Sequence, residues 1–245
     1  MIETRDLSKS FGPVQVLRSV SFSLHDGETL VVMGRSGCGK SVVLKHLIGL
    51  MKPDSGDVLV DGESIVGLPE RKLTDVRRKI GMLFQSAALF DSMSVGENLA
   101  FPLREQGVHD EKEINTRIAE ALEMVDLPGE EEKMPADLSG GMRKRVGLAR
   151  TIIGRPRVIL YDEPTTGLDP VTSDSINHLI RRLQRRLRVT SIVVTHDMKT
   201  AFHCADRVTF LHEGRAHFTG PIAEFRDSTD PVLADFIQGR SGDTD

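Results

Sequence analysis

The octapeptide "GRSGCGKS", Gly34–Ser41, constrains this chain more than any other stretch. It has the pattern Gly-x-x-x-x-Gly-Lys-Ser/Thr, follows the apolar run "TLVVM" and precedes a helical pattern that starts at Ser41. Such a loop works only as the turn from a buried strand into a helix. Its glycines let backbone N–H groups converge on phosphate oxygens, and the helix start adds partial positive charge. Gly34, Arg35, Ser36, Gly37, Cys38, Gly39, Lys40 and Ser41 therefore read as a phosphate cradle. Lys40 is placed to reach β- and γ-phosphates, and Ser41 offers a hydroxyl to Mg²⁺. Cys38 reads as a small filler.

The remaining pattern predicts an α/β protein. Residues 1–33 are β-rich, a helix follows over Ser41–Leu50, and "KPDSGDVLVDGESI" holds a short strand between turns. "RKIGMLFQ" reads as a strand, and from Ser86 to about Arg155 the spacing turns helical. Strand "RVILYDEP", helix "VTSDSINHLIRRLQRRL", strand "TSIVVTHD", helix "MKTAFHCA" and strand "DRVTFLHEG" then alternate, which predicts a parallel sheet with helical crossovers. The expected plan is a core of residues 1–85 and 156–225, a helical insert over 86–155 and a C-terminal tail over 226–245. The end of that tail, "GRSGDTD", is expected to be disordered.

Composition narrows the function. With 39% hydrophobic and 28% charged residues in 245, the chain can bury a sizeable core. Its 32 basic against 36 acidic residues give a net charge of −4, which argues against nucleic acid as a partner. The basic run Arg181, Arg182, Arg185, Arg186 and Arg188 alternates with Ile180, Leu183 and Leu187 as the wet face of an amphipathic helix does. Two cysteines imply no disulfide framework and fit a reducing cytosol. The opening "MIETRDLSKSF" carries charges where a signal peptide has an apolar stretch. No apolar run approaches the roughly 18 residues needed to span a bilayer, so a membrane role requires another chain to hold this one.

More polar residues close predicted strands. Asp162 and Glu163 end "VILYDE", where ligand sites of open α/β sheets lie. Asp162 suits Mg²⁺, and Glu163 suits a general base that polarises water. Gln85 closes "IGMLFQ" and His196 closes "SIVVTH"; either can reach a γ-phosphate, a water or a metal. A second anion site is written in "DLSGGMRKRVGLAR", where Ser139, Gly140 and Gly141 open a basic helix. Two phosphate cradles on one chain demand an explanation.

Taken in order, "GRSGCGKS", Gln85, "LSGGM", "VILYDEP", "GLD" at 167–169 and His196 resemble the motif set of ABC-type ATPase domains over essentially the whole chain. The resemblance implies the P-loop fold of that family: a mainly parallel core sheet, an N-terminal antiparallel β subdomain and an inserted α-helical subdomain. It also implies ATP and Mg²⁺ as ligands and a homodimer packed head to tail. Ser139, Gly140 and Gly141 would then hold the γ-phosphate of the partner's ATP, which accounts for the second cradle. Phe11 resembles the aromatic that stacks on adenine, although tyrosine is commoner there. Asp169 resembles the loop aspartate that crosses the dimer, and His196 the γ-phosphate switch. Gln85 resembles the residue that links the nucleotide to the membrane partner, with Ser41, Gln85 and Asp162 on the metal side. Met142 departs from the commoner glutamine and cannot copy its hydrogen bonds.

"LSGGM" before a basic helix, with "MLFQSAALFDSMSVGENLAFPLRE" at 82–105, resembles the ATPase subunits of Mla-type phospholipid transporters. That implies a peripheral place on the cytoplasmic face of a bacterial inner membrane, beside an integral permease. It further implies an MCE-domain substrate-binding protein and, in some bacteria, a small STAS-domain protein. A polar-solute importer ATPase is the alternative. ABC proteins acting on nucleic acid or ribosomes carry tandem cassettes or coiled-coil insertions, which this chain lacks. A regulatory module without turnover is disfavoured because Glu163 and His196 are both present. Leu89, Phe90, Met93, Phe101 and Leu103 form an apolar cluster next to Gln85, part of which must pack inside the helical insert.

Overall fold

A computed structural model of the chain describes residues 1–240. Its first half runs β1 (Ile2–Phe11), β2 (Val14–Leu24), β3 (Thr29–Gly34), α1 (Lys40–Leu47), β4 (Ser55–Val60), β5 (Glu63–Ser64), α2 (Glu70–Arg78), β6 (Ile80–Leu83), α3 (Val95–Glu105) and α4 (Glu111–Met124). Then follow α5 (Gly140–Ile152), β7 (Val158–Asp162), α6 (Pro170–Leu187), β8 (Thr190–Thr195), α7 (Met198–Cys204), β9 (Arg207–His212), β10 (Arg215–Pro221), α8 (Ile222–Arg226) and α9 (Pro231–Ile237). The chain divides into two compact units, Met1–Val76 with the chain from Thr190 onward, and Arg77–Val189. Of the stretch Gly239–Asp245, expected to be disordered, residues 241–245 lie outside the described residues.

In the first unit, β2-β1-β4-β5 make an antiparallel sheet. The alternation of β1 slips after Thr4, so that its buried residues are Ile2, Thr4 and Leu7. A bulge causes the slip: the register shifts between Thr4 and Leu7, and Asp6 takes a left-handed φ of 48°. Asp6 Oδ1 accepts from Ser19 Oγ at 2.6 Å, which ties the bulge to β2. Beside it, β3 runs parallel to both β8 and β9, with Met33 level with Thr195 and with Phe210. All six residues of β3 are buried, the mark of a strand covered on both faces. Helices α1 and α7 pack against β3 and β8, and β10 closes the β9 edge antiparallel.

The second unit pairs β6 with β7 in parallel, Leu83 opposite Tyr161. Helices α3, α4, α5 and α6 pack in succession around Leu99, Leu103, Ile118, Leu122, Val146 and Leu183. Leu103 of the expected apolar cluster is therefore core, whereas Phe90 and Phe101 are 42% and 39% exposed. In α6, Ile180 and Leu183 are buried while Arg182, Arg185 and Arg186 are exposed, as is Arg188 just past the helix, and Arg181 is half-buried.

A capping box starts α3, with Ser94 Oγ accepting from Glu97 N–H and the Glu97 carboxylate accepting from Ser94 N–H. One turn on, fully buried Asn98 holds the preceding loop. Its Oδ1 accepts from Phe90 N–H at 2.8 Å, and its Nδ2 donates to the carbonyls of Phe90, Met93 and Ser94 at 2.9–3.1 Å. Asn98→Ala strands those groups without partners and is expected to cost roughly 2–4 kcal/mol of stability. Urea unfolding measures this; a loss below about 0.5 kcal/mol is what an ordinary surface change gives, and it would show the loop to be held elsewhere.

Candidate nucleotide site

The first unit carries the phosphate loop between β3 and α1. Side chains are excluded at two of its glycines. A Cβ on Gly34 would lie 2.4 Å from the Leu211 carbonyl oxygen, and one on Gly39 would lie 2.7 Å from Leu17 Cδ2. Gly39 also caps α1 with φ at 101°, a conformation that glycine adopts freely. Buried Lys40 folds its ammonium back onto the carbonyls of Gly34 (2.9 Å) and Arg35 (3.1 Å). Arg35, Ser36, Gly37 and Ser41 are exposed, and Cys38 is half-buried. His196 is exposed one residue past Thr195, the partner of Met33, so it leaves β8 at the level where Gly34 leaves β3. Phe11 is 45% exposed at the β1–β2 turn, with Lys9 Nζ 5.9 Å from its ring centre. That exposure is not the setting of a core phenylalanine.

The second unit brings together Gln85, Asp162 and Glu163. The parallel pairing of Leu83 with Tyr161 delivers all three to the same carboxyl end. Gln85 is exposed and Asp162 half-buried. Glu163 is 9% exposed, with its Oε2 accepting from Thr166 Oγ1 at 3.3 Å. Its φ of 47° is unusual for a residue with a side chain.

Lys144 is the neighbour of these segments that the sequence reading did not single out. It is 5% exposed and donates to the Gln85 carbonyl at 2.5 Å and the Glu163 carbonyl at 3.4 Å. Burial pulls its ammonium below the usual lysine range, against the opposing pull of the Asp162 and Glu163 carboxylates.

The second cradle stands at the start of α5. Ser139 caps the helix, its Oγ accepting from Met142 N–H at 3.2 Å. Asp169 likewise caps α6, accepting from the N–H groups of Val171 and Thr172 at 3.0 Å and from Thr172 Oγ1 at 2.5 Å. The Thr172 hydroxyl, then its N–H, hold the Asp169 carboxyl below the ordinary aspartate range. The two caps are neighbours, since a Cβ on Gly141 would lie 2.6 Å from Thr172 Cγ2 and one on Gly140 would lie 3.3 Å from Leu168 Cδ2. Farther along, Arg145 of α5 reaches Asp126 (2.6 Å) and Ser175 of α6 (2.7 Å), and Arg182 reaches the same Asp126 oxygen at 2.7 Å. Cradle and aspartate loop thus rest on two helices locked to each other.

In the first unit Ser41 offers a hydroxyl oxygen, and in the second Gln85 and Asp162 offer amide and carboxylate oxygens, each the hard type of donor that Mg²⁺ takes. The loop at Gly34 and Gly39 leaves no room for side chains.

The chain is similar to known ATP-binding proteins. A family model described as ABC transporter matches residues 17–166. The probable ribonucleotide transport ATP-binding protein mkl of Mycobacterium leprae is 41% identical over 239 residues, spanning 98% of this chain and 69% of that protein. The chloroplastic protein TRIGALACTOSYLDIACYLGLYCEROL 3 of Arabidopsis thaliana is 42% identical over 256 residues, 98% of this chain and 74% of its own. The methionine import ATP-binding protein MetN of Rhizobium johnstonii is 38% identical over 252 residues, 98% of this chain and 69% of its own. Among solved structures, a dimeric ATP-binding cassette in a post-hydrolysis state with ADP and Pi gives a TM-score of 0.82 at 32% identity, over 91% of this chain and 99% of that chain.

Proposed function

Because this chain belongs to the ABC transporter family and is an ATP-hydrolysing subunit of it, we propose that it powers the movement of phospholipid in an Mla-type envelope system. The observation that carries the cargo reading is "LSGGM" together with "MLFQSAALFDSMSVGENLAFPLRE" at 82–105. The Arabidopsis relative, named for a galactolipid, supports it. The ribonucleotide and methionine names of other relatives favour a second reading, a polar-solute importer.

Each residue has a role in turnover. Lys40 and the N–H groups of the Gly34–Ser41 loop bind the phosphates, and Phe11 stacks on adenine. Glu163 takes the proton of the attacking water, and Gln85 and His196 orient that water against the γ-phosphate. Ser41, Asp162 and Gln85 hold Mg²⁺, which when bound neutralises charge on the β- and γ-phosphates. Ser139, Gly140, Gly141 and Asp169 act on the nucleotide of a second copy, so that the working form is a symmetric dimer. An integral permease anchors that dimer at the cytoplasmic face of the membrane, with MCE-domain and STAS-domain proteins as further members. Among the described residues no helix is long and apolar enough to cross a bilayer.

The cargo is tested in vesicles holding the assembled transporter. Phospholipid supplied to the complex should raise ATP turnover and leave the donor membrane. Stimulation by methionine or a ribonucleotide, with no response to phospholipid, would transfer the chain to the polar-solute reading.

The permease side rests on an apolar groove of about 360 Å³ in the second unit, lined in part by Met82, Phe84, Phe90, Phe101, Pro102 and Arg150. Phe90 and Phe101 meet there at a tilt, ring centres 5.0 Å apart and planes at 59°, and Arg150 lies 5.9 Å from the Phe90 ring centre. Gln85 is five residues from Phe90, so a permease helix seated in the groove would sense its movement. Phe90→Glu should abolish co-purification with the permease and spare ATP affinity, with a loss of about 0.5–1.5 kcal/mol in the stability of the isolated chain from the lost contact with Phe101. Normal permease binding and lipid movement would remove the groove from the interface.

A further inference from the structure

Helix α5 begins at the second cradle and is fastened to both backbone segments that present Gln85 and Glu163. Lys144 lies four residues after Gly140, on the buried side of the helix. Its Nζ contacts the Gln85 carbonyl at 2.5 Å and the Glu163 carbonyl at 3.4 Å. Both acceptors are main-chain oxygens, so the contact sets the path of the backbone. That path is unusual at each place: Glu163, Ala87 and Ala88 all have positive φ (47°, 62° and 48°). Residues with side chains keep this conformation only where their surroundings hold it. Farther along α5, Arg150 donates to the carbonyls of Ala87 and Ala88 at 2.8 Å each. At Gly147 a Cβ would lie 2.8 Å from Leu83 Cδ1 and 3.0 Å from Ala87 Cβ, so helix and loop touch without slack. Lys144 thus touches both segments.

We propose that Lys144 is a positioning residue that couples the second cradle to the Gln85 and Glu163 segments of its own chain. The coupling rests on the reading above, in which Ser139–Gly141 grip the partner's nucleotide. A helix moves as a rigid body over one turn, so a shift of its first residues on gripping that nucleotide displaces Nζ. Nζ carries the displacement to the base, Glu163, and to the water-orienting Gln85. One composite site thereby sets the alignment of the other.

The test uses the assembled transporter with Lys144→Met, Lys144→Gln and Lys144→Arg. Lys144→Met should lower kcat by about tenfold or more and flatten the ATP dependence toward a Hill coefficient of ~1. ATP affinity, read with a fluorescent nucleotide analogue, should stay near that of the parent. Lys144→Arg should restore kcat and cooperativity together, and Lys144→Gln should fall between. Hydrogen exchange on the isolated chain gives a readout independent of turnover: amides of residues 85–88 and 163–168 should exchange faster in Lys144→Met, and not in Lys144→Arg. Unchanged kcat and cooperativity in Lys144→Met would overturn the coupling, as would a Lys144→Arg protein as impaired as Lys144→Met. If the parent complex hydrolyses no ATP, the transporter reading fails instead, and exchange still decides whether Lys144 holds the two segments.

Discussion

Glu163→Gln leaves ATP bound and lowers its turnover by roughly 10²–10⁴-fold, the worth of a positioned general base. The substitution keeps the shape of the side chain and removes only its basicity. Its surroundings favour retention of the local structure. The contact from Lys144 goes to the Glu163 carbonyl, which the substitution does not touch. The Thr166 hydroxyl, which donates to Oε2 at 3.3 Å, can donate equally to an amide oxygen. Low exposure, 9%, means that water does not simply fill in for the lost base. With both nucleotides bound and neither cleaved, the dimer stays closed. Two measurements check this: ATP turnover of the assembled transporter, and molar mass of the isolated chain by light scattering with and without Mg-ATP. Hydrolysis near the parent rate would rule out Glu163 as the essential base.

The residues that could be found from sequence were those whose chemistry has no ordinary use. A Gly-x-x-x-x-Gly-Lys-Ser loop between a strand and a helix has a specific use, and the structure adds that a side chain at Gly34 or Gly39 would collide with its neighbours. Asp162 and Glu163 stood out because two acids end an otherwise apolar strand. Lys144 did not stand out, since it lies within the run Arg143, Lys144, Arg145 of a helix read only as basic. Only Arg143 of the three is exposed. The helical phase carried the missing signal: Lys144 lies four residues before Leu148 and eight before Ile152, both buried, so it shares their face. A lysine at that phase must have buried acceptors. The same limit applied to β1, whose alternation is broken by a bulge at Asp6 that depends on Ser19 of another strand. Beyond the strand "DRVTFLHEG" the sequence reading placed no further element, yet β10, α8 and α9 follow. Helix α9 has seven residues, too few for a periodic signal, and is held by its Asp230 cap and by an edge-on contact of Phe236 with Phe210, ring centres 4.8 Å apart. Such elements exist through tertiary contact, which a pattern along the chain does not display.

Lesions in the two cradles should behave differently when placed on the same subunit and on different subunits. Suppose that Ser139–Gly141 serve the partner's ATP. Lys40→Ala on one subunit and Gly140→Asp on the other then damage the same composite site and leave the second intact. Placed together on one subunit, they damage both sites. Each lesion is severe in physical terms. Lys40→Ala removes a charge-assisted bond to phosphate, a loss of about 1.5–3 kcal/mol, or roughly 10- to 150-fold in affinity. Gly140→Asp puts a carboxylate on the first turn of α5, where a phosphate is to be bound. The helix itself should survive, because a Cβ at Gly140 meets only the end of the Leu168 side chain, at 3.3 Å, whereas one at Gly141 would press on Thr172 at 2.6 Å. Tandem-linked dimers carrying Glu163→Gln in both halves keep the ATP uncleaved while it is counted by equilibrium dialysis. The different-subunit arrangement should retain one tightly held ATP per dimer, and the same-subunit arrangement none. The reverse order would assign each cradle to its own chain's nucleotide. Equal occupancy in the two arrangements would mean that the second cradle does not contribute to ATP binding at all, and the composite site would have to be abandoned.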